Sequence, residues 1–297
     1  MGSKNTERLR KIFRIGNICG TAFATVFITL GAFVNMLHTC PALYGFHGCR
    51  WMILCGSFMY IQVMMNYVLT RFTFRRNEVA RWTEQLNLPQ KVTDRFRFCA
   101  TCNKGRPKRS YHCNSCNVCI LRCDHHCFIT GVCIGISNQR FFIAFVVWLL
   151  FGIVYSSTYM HEYFNRFAER SEALGVAGYF FPIVLLRSLF GYENFMTAIV
   201  VSLLGIGIQV GFMSVGVIFG QMCYLLSGET FYEFHVLRNK PKEKVRGDGG
   251  TVLERLELIF GRPWYLSFIC PQPFRPTQHT PEIIANLFGD GEEDKEI

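Results

Sequence analysis

The sequence predicts an all-α membrane protein, a four-transmembrane-helix bundle joined to a polar, cysteine-rich domain of short hairpins and loops. Composition is the first observation behind this class. Of 297 residues, 50% are hydrophobic and only 18% are charged, whereas soluble domains carry about 25% charged residues. The second is a set of long charge-free runs, and the third is the concentration of eight of the 14 cysteines between Cys99 and Cys133. An aromatic content of 15% excludes disordered and collagen-like chains.

Four apolar runs are each long enough to cross a bilayer. They are residues 15–36, 51–70, 141–160 and 194–228. A bilayer core needs about 20 apolar residues per helix. One such run could be a buried helix of a soluble core, but four in one chain favour a membrane protein. Residues 174–186 are shorter and are interrupted by Pro182, so a re-entrant or surface-lying helix is predicted there rather than a fifth span.

Basic residues orient the predicted spans. Five precede the first run within residues 1–14, whereas the short loop 37–50 carries only Arg50. The polar block 71–140 holds 13 Lys and Arg against four acids. Because basic residues stay on the cytoplasmic side, the N-terminus and this block are expected to face the cytoplasm. Cys40 and Cys49 then lie on the lumenal side, where they could pair or stay free.

These features divide the chain into five segments. They are a basic cytoplasmic N-terminus (1–14), transmembrane helices 1–2 (15–70), a cytoplasmic cysteine-rich domain (71–138), transmembrane helices 3–4 with a lumenal segment (139–228) and a cytoplasmic C-terminal tail (229–297). The N-terminus lacks the apolar core of a cleavable signal peptide, so the first span is expected to be retained. Gly2 fits an N-myristoylation pattern. The tail from Gly289 is acidic and is expected to be disordered.

The cysteine-rich block has the residue types and spacing of a metal site. It reads Cys99-x2-Cys102-x9-His112-Cys113-x2-Cys116-x2-Cys119-x4-Asp124-His125-His126-Cys127-x5-Cys133. Cysteines two residues apart can direct both thiolates at one ion, and zinc takes four sulfur or nitrogen ligands. A disulfide framework is the alternative, but disulfides rarely persist in a reducing cytoplasm. Two closed zinc sites need eight ligands, fewer than the block offers.

Asp124, His125 and Cys127 form a chemically complete set for nucleophilic catalysis. An adjacent histidine can generate the nucleophilic thiolate at neutral pH. A carboxylate can fix the tautomer of that imidazole and stabilise its cation. Spacing alone leaves open which histidine is the base and which binds metal. It also leaves open whether Cys123 is a ligand.

From Cys99 to about Phe142, the block resembles the Asp-His-His-Cys cysteine-rich domain of the DHHC family of protein S-acyltransferases (palmitoyltransferases). The resemblance implies two structural zinc ions. Their implied ligand sets are Cys99, Cys102, His112 and Cys119, and Cys113, Cys116, His126 and Cys133. It also implies that Cys127 is the acyl-accepting nucleophile, His125 the base and Asp124 its orienting partner. Cys123 occupies a variable position of the family and is interpreted as a bystander.

Two further elements match the family. Arg106, Lys108 and Arg109 lie in a basic-Pro-x-Arg element that is expected near the phosphates of acyl-coenzyme A, although simple retention charge would also explain them. Asn138 matches the asparagine that follows the Cys-x-Gly segment. The glycines of the fourth run could leave room for an acyl chain, or they could serve helix packing.

The implied activity is that of a protein-cysteine S-palmitoyltransferase. Such an enzyme moves a long-chain acyl group from acyl-coenzyme A (palmitoyl-CoA), through an acyl-enzyme on Cys127, to cysteine thiols of membrane-associated substrate proteins. Its implied location is a multi-pass position in endomembranes, the Golgi or the ER, with the active site facing the cytoplasm. The lipid bilayer is its expected surroundings, and nucleic acid is not an expected partner.

Several positions depart from the family pattern. Phe128-Ile129 replaces Pro-Trp, and Thr130-Gly131 replaces Asn-Asn. The Asp-Pro-Gly element is absent from residues 71–87, and residues 230–233 keep only the first Thr and the Glu of Thr-Thr-x-Glu. These departures are similar to a divergent branch, the animal DHHC24 type.

Two alternative functions follow from the same residues. The departures motivate a catalytically impaired DHHC-like membrane scaffold with structural zinc. The Cys/His pairs and basic excess motivate a zinc-finger nucleic-acid binder. Four spans and the contiguous Asp-His-His-Cys set argue against the second alternative.

Overall fold

The computed structural model describes residues 3–88, 90–168, 177, 180–237, 247–271 and 287–288. Most of these residues are helical. The helices are α1 (Ser3–Val34), α2 (Cys40–Gly48), α3 (Arg50–Phe72), α4 (Val79–Leu86), α5 (Gln90–Thr93), α6 (Gln139–Phe167), α7 (Ile183–Leu189), α8 (Phe195–Ser227), α9 (Val252–Phe260) and α10 (Leu266–Ile269). Shorter π-helical turns lie at Asn35–Thr39 and Glu233–Leu237, and a 3-10 turn lies at Phe74–Asn77.

Within the described ranges, four helical segments are long and apolar enough to cross a membrane. They are Arg10–Gly48, Arg50–Phe72, Gln139–Phe167 and Phe195–Ser227. The shortest has 23 residues, which rise about 35 Å and exceed a hydrocarbon core of about 30 Å. A mostly helical chain with four candidate spans is therefore confirmed. Their arrangement as a bundle, the side that faces the cytoplasm and the five-segment division stay predictions.

One predicted loop and the end of one predicted span differ from the structure. Residues 37–50, predicted as a loop, are largely helical, since the helical backbone continues from α1 through the π-helical turn Asn35–Thr39 into α2. Pro41, which has no N–H to donate, directly follows the start of α2 after that turn. Cys40 and Cys49 are joined by a disulfide there. In addition, α6 continues beyond Met160 to Phe167.

The segment 174–186 is described only at residue 177 and from residue 180 onward. Its described part ends in α7, which begins after Pro182 and has seven residues. A helix of that length cannot cross a bilayer. Residues 174–176 and 178–179, together with Gly2 and the predicted tail from Gly289, lie outside the described residues.

The chain divides into two compact units. The first comprises Met1–Phe23, Met65–Ala144 and Phe219–Ile297, and the second Ala24–Met64 and Phe145–Ile218. In the second unit, an apolar cluster joins α2, α6 and α8. Its buried members are Leu43, Met160, Tyr163, Val200 and Leu203. An added Cβ at Gly207 or Gly211 of α8 would contact Ile153 of α6, so these two glycines serve helix packing.

The first unit contains three short antiparallel hairpins. Strand β1 (Arg97–Cys99) pairs with β2 (Lys104–Arg106), β3 (Ser110–Cys113) with β4 (Val118–Leu121), and β5 (His125–Cys127) with β6 (Val132–Ile134). Asn103 and Asn117 each follow the second cysteine of a Cys-x2-Cys pair and have φ angles of 51° and 57°. Asparagine tolerates this left-handed conformation better than most residues. The predicted domain of short hairpins and loops is thus present.

The C-terminal region contributes to the core of the first unit. Helix α9 begins with a capping box, in which the Thr251 hydroxyl accepts from the Glu254 amide and the Glu254 carboxylate accepts from the Thr251 amide. Leu258 of α9 packs in one buried cluster with Trp82 of α4 and Leu121 of β4. The described part of the predicted tail is therefore an integral part of this unit.

Candidate active site and metal centres

The ligand set predicted first, here called metal site A, is assembled from the first two hairpins. The ligand atoms of Cys99, Cys102, His112 and Cys119 lie within 4.8 Å of one another. Nδ1 of His112 is 3.2 Å from Sγ of Cys102 and 3.9 Å from Sγ of Cys119, and the two sulfurs are 3.7 Å apart. Tetrahedral bonds of about 2.0–2.3 Å place neighbouring ligand atoms about 3.5–3.8 Å apart. The four side chains can therefore hold a metal ion of zinc's size.

The second set, here called metal site B, has the same composition. The ligand atoms of Cys113, Cys116, His126 and Cys133 also lie within 4.8 Å of one another. Nδ1 of His126 is 3.4 Å from Sγ of Cys116 and 3.5 Å from Sγ of Cys133. Its other nitrogen, Nε2, lies 2.9 Å from Oδ1 of Asn17. Because Nδ1 faces the sulfurs, Nε2 carries the ring proton and donates a hydrogen bond to Oδ1 of Asn17. This hydrogen bond fixes the orientation of the ring for metal binding.

Strand alternation explains why neighbouring ligands serve different sites. Successive side chains of a β-strand point to opposite faces. In β3, His112 therefore faces metal site A and the next residue, Cys113, faces metal site B. The cross-strand partner of His112 is Cys119, its fellow ligand.

The same alternation organises strand β5. Its middle residue, His126, faces metal site B and is paired across the hairpin with Cys133. His125 and Cys127, one residue before and one after, share the opposite face of the strand. The geometry therefore makes His126 the metal-facing histidine and leaves His125 beside the thiol, the alternative that spacing alone left open.

Asp124, His125 and Cys127 lie close together. Oδ2 of Asp124 is 2.7 Å from Nδ1 of His125, and the His125 ring and the Cys127 thiol are near enough to shift each other's pKa. Asp124 is fully buried. The His125 ring packs edge-on against Phe142, with the ring centroids 5.2 Å apart. The carboxylate thus orients the imidazole toward the thiol.

This environment favours an imidazolium–thiolate pair. Burial alone would lower the pKa of His125, but the hydrogen bonds and charges of Asp124 and Cys127 outweigh burial and raise that pKa to about 10. Burial would raise the pKa of the Cys127 thiol, whereas the neighbouring His125 lowers it to a greater extent. The pKa of Asp124 is lowered in the same way, because the His125 ring and the other donors around the carboxylate outweigh its burial. Since the thiolate is the nucleophilic form of cysteine, the arrangement can supply a nucleophile near neutral pH.

Arg109 occupies a different position from the one its motif suggested. Its side chain is only 1% exposed. It donates to both carboxylate oxygens of Glu233 at 2.7 Å and to Oδ1 of Asp248 at 2.5 Å. Asp248 in turn pairs with the buried Arg122. The two arginines lower the pKa of Asp248 to about 2 despite its burial, so Arg109 belongs to a buried ion-pair network and does not face solvent.

The other two residues of the basic element are more accessible. Arg106 and Lys108 are half-buried. The Arg106 guanidinium lies 5.8 Å from the Tyr111 ring centroid and donates to the Ser110 carbonyl. These contacts leave part of each side chain at the surface of the hairpin domain.

Asn138 secures the chain just after the last ligand. Its amide donates to the carbonyl oxygens of Thr70 and Cys133, each at 3.0 Å. Its carbonyl oxygen accepts from the amide of Asn77 at 2.9 Å and from the backbone of Gly135 at 2.8 Å. Because all four hydrogen-bonding positions are used, Asn138 ties β6 to the end of α3.

Sequence reasoning missed several residues that support the site. They are Asn17, Arg122, Gln139, Gln221 and Asp248. Asn17 and Gln221 are polar amides within two predicted spans, and such residues inside a span often mark a packing or functional contact. The two buried ion-pair residues, Arg122 and Asp248, had no comparable signal, since their partners are far away in the sequence.

A family model described as DHHC palmitoyltransferase matches residues 92–237. Residues 92–237 therefore form a domain of the DHHC family. The matched range includes all eight metal-facing residues, the Asp124–Cys127 set and the segment 230–233. A curated relative, Palmitoyltransferase PFA3 of Kluyveromyces lactis, is 39% identical over 83 residues. That match covers 27% of this chain and 26% of the relative, so the chain spans about a quarter of the relative's length.

Phe128, which departs from the family pattern, and the neighbouring Ile129 contact residues of α1 and α3 in the first unit. The Phe128 ring stacks with Phe13 of α1 at a centroid distance of 6.1 Å. A side chain at Gly20 would overlap with the Phe128 carbonyl. The Ile129 carbonyl accepts from the Tyr67 hydroxyl at 3.1 Å. The loop after the Asp-His-His-Cys set is therefore closely packed against helices α1 and α3.

Proposed function

We propose that the chain is a protein-cysteine S-palmitoyltransferase that uses Cys127 as its acyl carrier. The observation that carries the proposal is the position of His125, which contacts the buried Asp124 carboxylate on one side and the Cys127 thiol on the other. Family membership supplies the donor and acceptor classes, a long-chain acyl-coenzyme A and a cysteine of a membrane-associated substrate protein.

The proposed reaction has two balanced steps. The Cys127 thiolate attacks the thioester carbonyl of palmitoyl-CoA, the bond from the carbonyl carbon to the coenzyme A sulfur breaks, and the proton held by His125 passes to the departing thiolate. In the second step a substrate cysteine gives its proton to His125 and attacks the acyl-enzyme. The Cys127 thiolate leaves, and the imidazolium regenerates beside it. Thioester exchange is close to neutral in energy, so no further energy source is needed.

Metal sites A and B are proposed to hold structural Zn²⁺. Each has four protein ligands, so a bound zinc has no open position for water and supplies folding free energy rather than chemistry. Metal site B is proposed to hold strand β5 in place, and with it His125 and Cys127.

The active site is proposed to face the cytoplasm in an endomembrane of the Golgi or ER. Two independent features support this orientation. Basic residues concentrate before the first span and in the block 71–140. The Cys40–Cys49 disulfide lies where the segment Arg10–Gly48 meets the segment Arg50–Phe72, at the end that would then be lumenal and oxidising. Arg106 and Lys108 are the proposed contacts for the coenzyme A phosphates, and the buried pairs of Arg109 assign it to the fold instead.

Autoacylation of the purified, zinc-loaded full-length chain tests the proposal. Incubation with radiolabelled palmitoyl-CoA should give a hydroxylamine-labile label, and Cys127→Ser should abolish it. Absence of label on the wild type with two zinc ions bound would refute the enzyme and leave the structural scaffold. Label that persists in Cys127→Ser would refute only the choice of nucleophile.

A further inference from the structure

The Asp124 carboxylate is held by a third donor besides His125 and the Phe231 backbone. Gln221 of α8 donates from Nε2 to Oδ2 of Asp124 at 2.8 Å. Oε1 of Gln221 accepts from Nε2 of Gln139 at 2.9 Å. Both glutamines are buried. A chain of two amides therefore leads away from the carboxylate that orients the catalytic histidine.

This chain ends on a buried arginine. Oε1 of Gln139 accepts from Nη1 of Arg122 at 2.6 Å. Arg122 also donates from Nε to Oδ2 of Asp248 at 2.9 Å. Asp248 belongs to the described segment 247–271, more than a hundred residues along the chain from Arg122. The C-terminal segment thereby reaches the catalytic carboxylate through three side chains.

The arginine determines the direction of every hydrogen bond in the chain. A guanidinium can only donate, so Arg122 requires the oxygen of Gln139. The Gln139 amide nitrogen must then face Gln221 and requires its oxygen. Gln221 in turn is left with its NH₂ group toward Asp124. Without Arg122, the amides could reverse and present an oxygen to the carboxylate, which would repel it.

We infer that Gln221 and Gln139 are positioning residues for the Asp124–His125 pair, with their orientation set by Arg122 and, through it, by Asp248. The inference rests on the proposed function for its kinetic consequence. Gln221 shares Oδ2 with the Nδ1 proton of His125, so its loss frees the carboxylate to rotate away from the imidazole. The effect is on the acyl-enzyme step and not on the binding of acyl-coenzyme A.

The zinc-loaded full-length Gln221→Met variant gives the direct test, with Gln209→Met as the matched control. Gln209 lies on the same helix but is exposed. We expect the kcat of acyl-enzyme formation to fall about tenfold in Gln221→Met, the effect typical of one hydrogen bond to a charged group. The KM for palmitoyl-CoA and the zinc content should stay at wild-type values, whereas the thermal midpoint should fall modestly because the buried Gln139 amide loses its acceptor. A loss of zinc, or a rise in KM as large as the fall in kcat, would instead show a general packing role and overturn the inference.

Gln139→Glu tests the direction of the chain. The glutamate retains the oxygen that accepts from Arg122 but loses the donor to Gln221, so Gln221 is no longer directed. We expect a fall in kcat smaller than that of Gln221→Met, and no additional fall when the two changes are combined. Independent, multiplying effects would overturn a single chain through Gln221.

A spectroscopic measurement separates this inference from the proposed function. The Nδ1 proton of His125 in ¹⁵N-histidine-labelled protein reports its hydrogen bond to Asp124. Its resonance should shift in Gln221→Met and stay fixed in Gln209→Met, whether or not the chain is acylated. An inactive wild type with the expected shift would remove the proposed function and leave the positioning role. An unchanged resonance would overturn the positioning role.

Discussion

Metal sites A and B have the same ligand types but different surroundings. In metal site A, Cys99 and Cys119 belong to an apolar cluster that also contains Trp82 of α4 and Leu258 of α9. Nε2 of its histidine, His112, has no hydrogen-bond partner among the residues that the structure describes. Metal site A is thus built into the packing that joins the hairpins to α4 and α9.

Metal site B lies next to the proposed catalytic residues. Its histidine, His126, is flanked on β5 by His125 and Cys127, and it donates to Asn17 of α1. A movement of this ligand would therefore also move the proposed nucleophile. The comparison teaches that the same ligand types lie beside packing helices in metal site A and beside the Asp124–His125–Cys127 set in metal site B.

Removal of both metals should have the largest effect. Structural zinc contributes about 10–16 kcal/mol in small zinc domains, so a chelator should loosen the hairpins and abolish autoacylation, and added zinc should restore it. Metal analysis, limited proteolysis and the acylation assay check this together. Wild-type acylation with zinc measured at zero would contradict a structural role for either site.

Substitution of the histidine in each metal site tests whether the two sites have different roles. His126→Ala should lower the rate of acyl-enzyme formation by about 100-fold or more, because a displacement of about 1 Å at reacting groups costs that much. His112→Ala should leave a larger share of this rate at low temperature but should lower the thermal midpoint more. Each variant is expected to lose one zinc. Equal ratios of activity loss to stability loss in the two variants would refute the distinction.

Asn17→Ala tests the brace on metal site B alone. Loss of a partner behind a metal-binding histidine typically weakens metal affinity about 10–100-fold. A chelator competition on the full-length protein should therefore show one weakened zinc and one unchanged zinc. Metal site A is the internal control, and weakening of both sites alike would contradict a local brace.

Gly20→Ala should give the smallest effect of the series. Its methyl group would meet the Phe128 carbonyl, and overpacking of this kind costs about 1–3 kcal/mol. We expect a lower thermal midpoint and slower acylation. Gly31→Ala on the same helix is the matched control, because an added Cβ there has no neighbour within 4 Å. A loss of stability in Gly31→Ala equal to that in Gly20→Ala would show a general intolerance of α1.

The two clusters that could hold a metal ion consist of residues singled out in the sequence, because these residues are close together along the chain. Their separation into two clusters follows from a strand period of two, which directs His112 and Cys113 to different clusters. The four candidate spans could also be predicted from the sequence, since apolar length alone identifies them. The helical structure of residues 37–50 could not be predicted, because a short helix closed by the Cys40–Cys49 disulfide has the same composition as a loop.

The buried ion pairs could not be predicted from the sequence, for a physical reason. Arg109 lies in a basic stretch that resembles a phosphate-binding element, and only the fold brings Glu233 and Asp248 to it. The same holds for Gln221, whose partner Asp124 is 97 positions away. A pairing of this kind depends on tertiary contacts that no local pattern records. The DHHC24-type branch suggested by the departures stays a prediction.

The pairing of Asp248 with Arg109 and Arg122 has a genetic consequence. A premature stop codon between the end of α8 and residue 248 would spare every metal ligand and the whole Asp-His-His-Cys set. It would nevertheless remove the carboxylate between two buried cations, and breaking a buried pair costs about 3–5 kcal/mol. Such an allele is expected to behave as a null, even though the codons for the catalytic residues are intact.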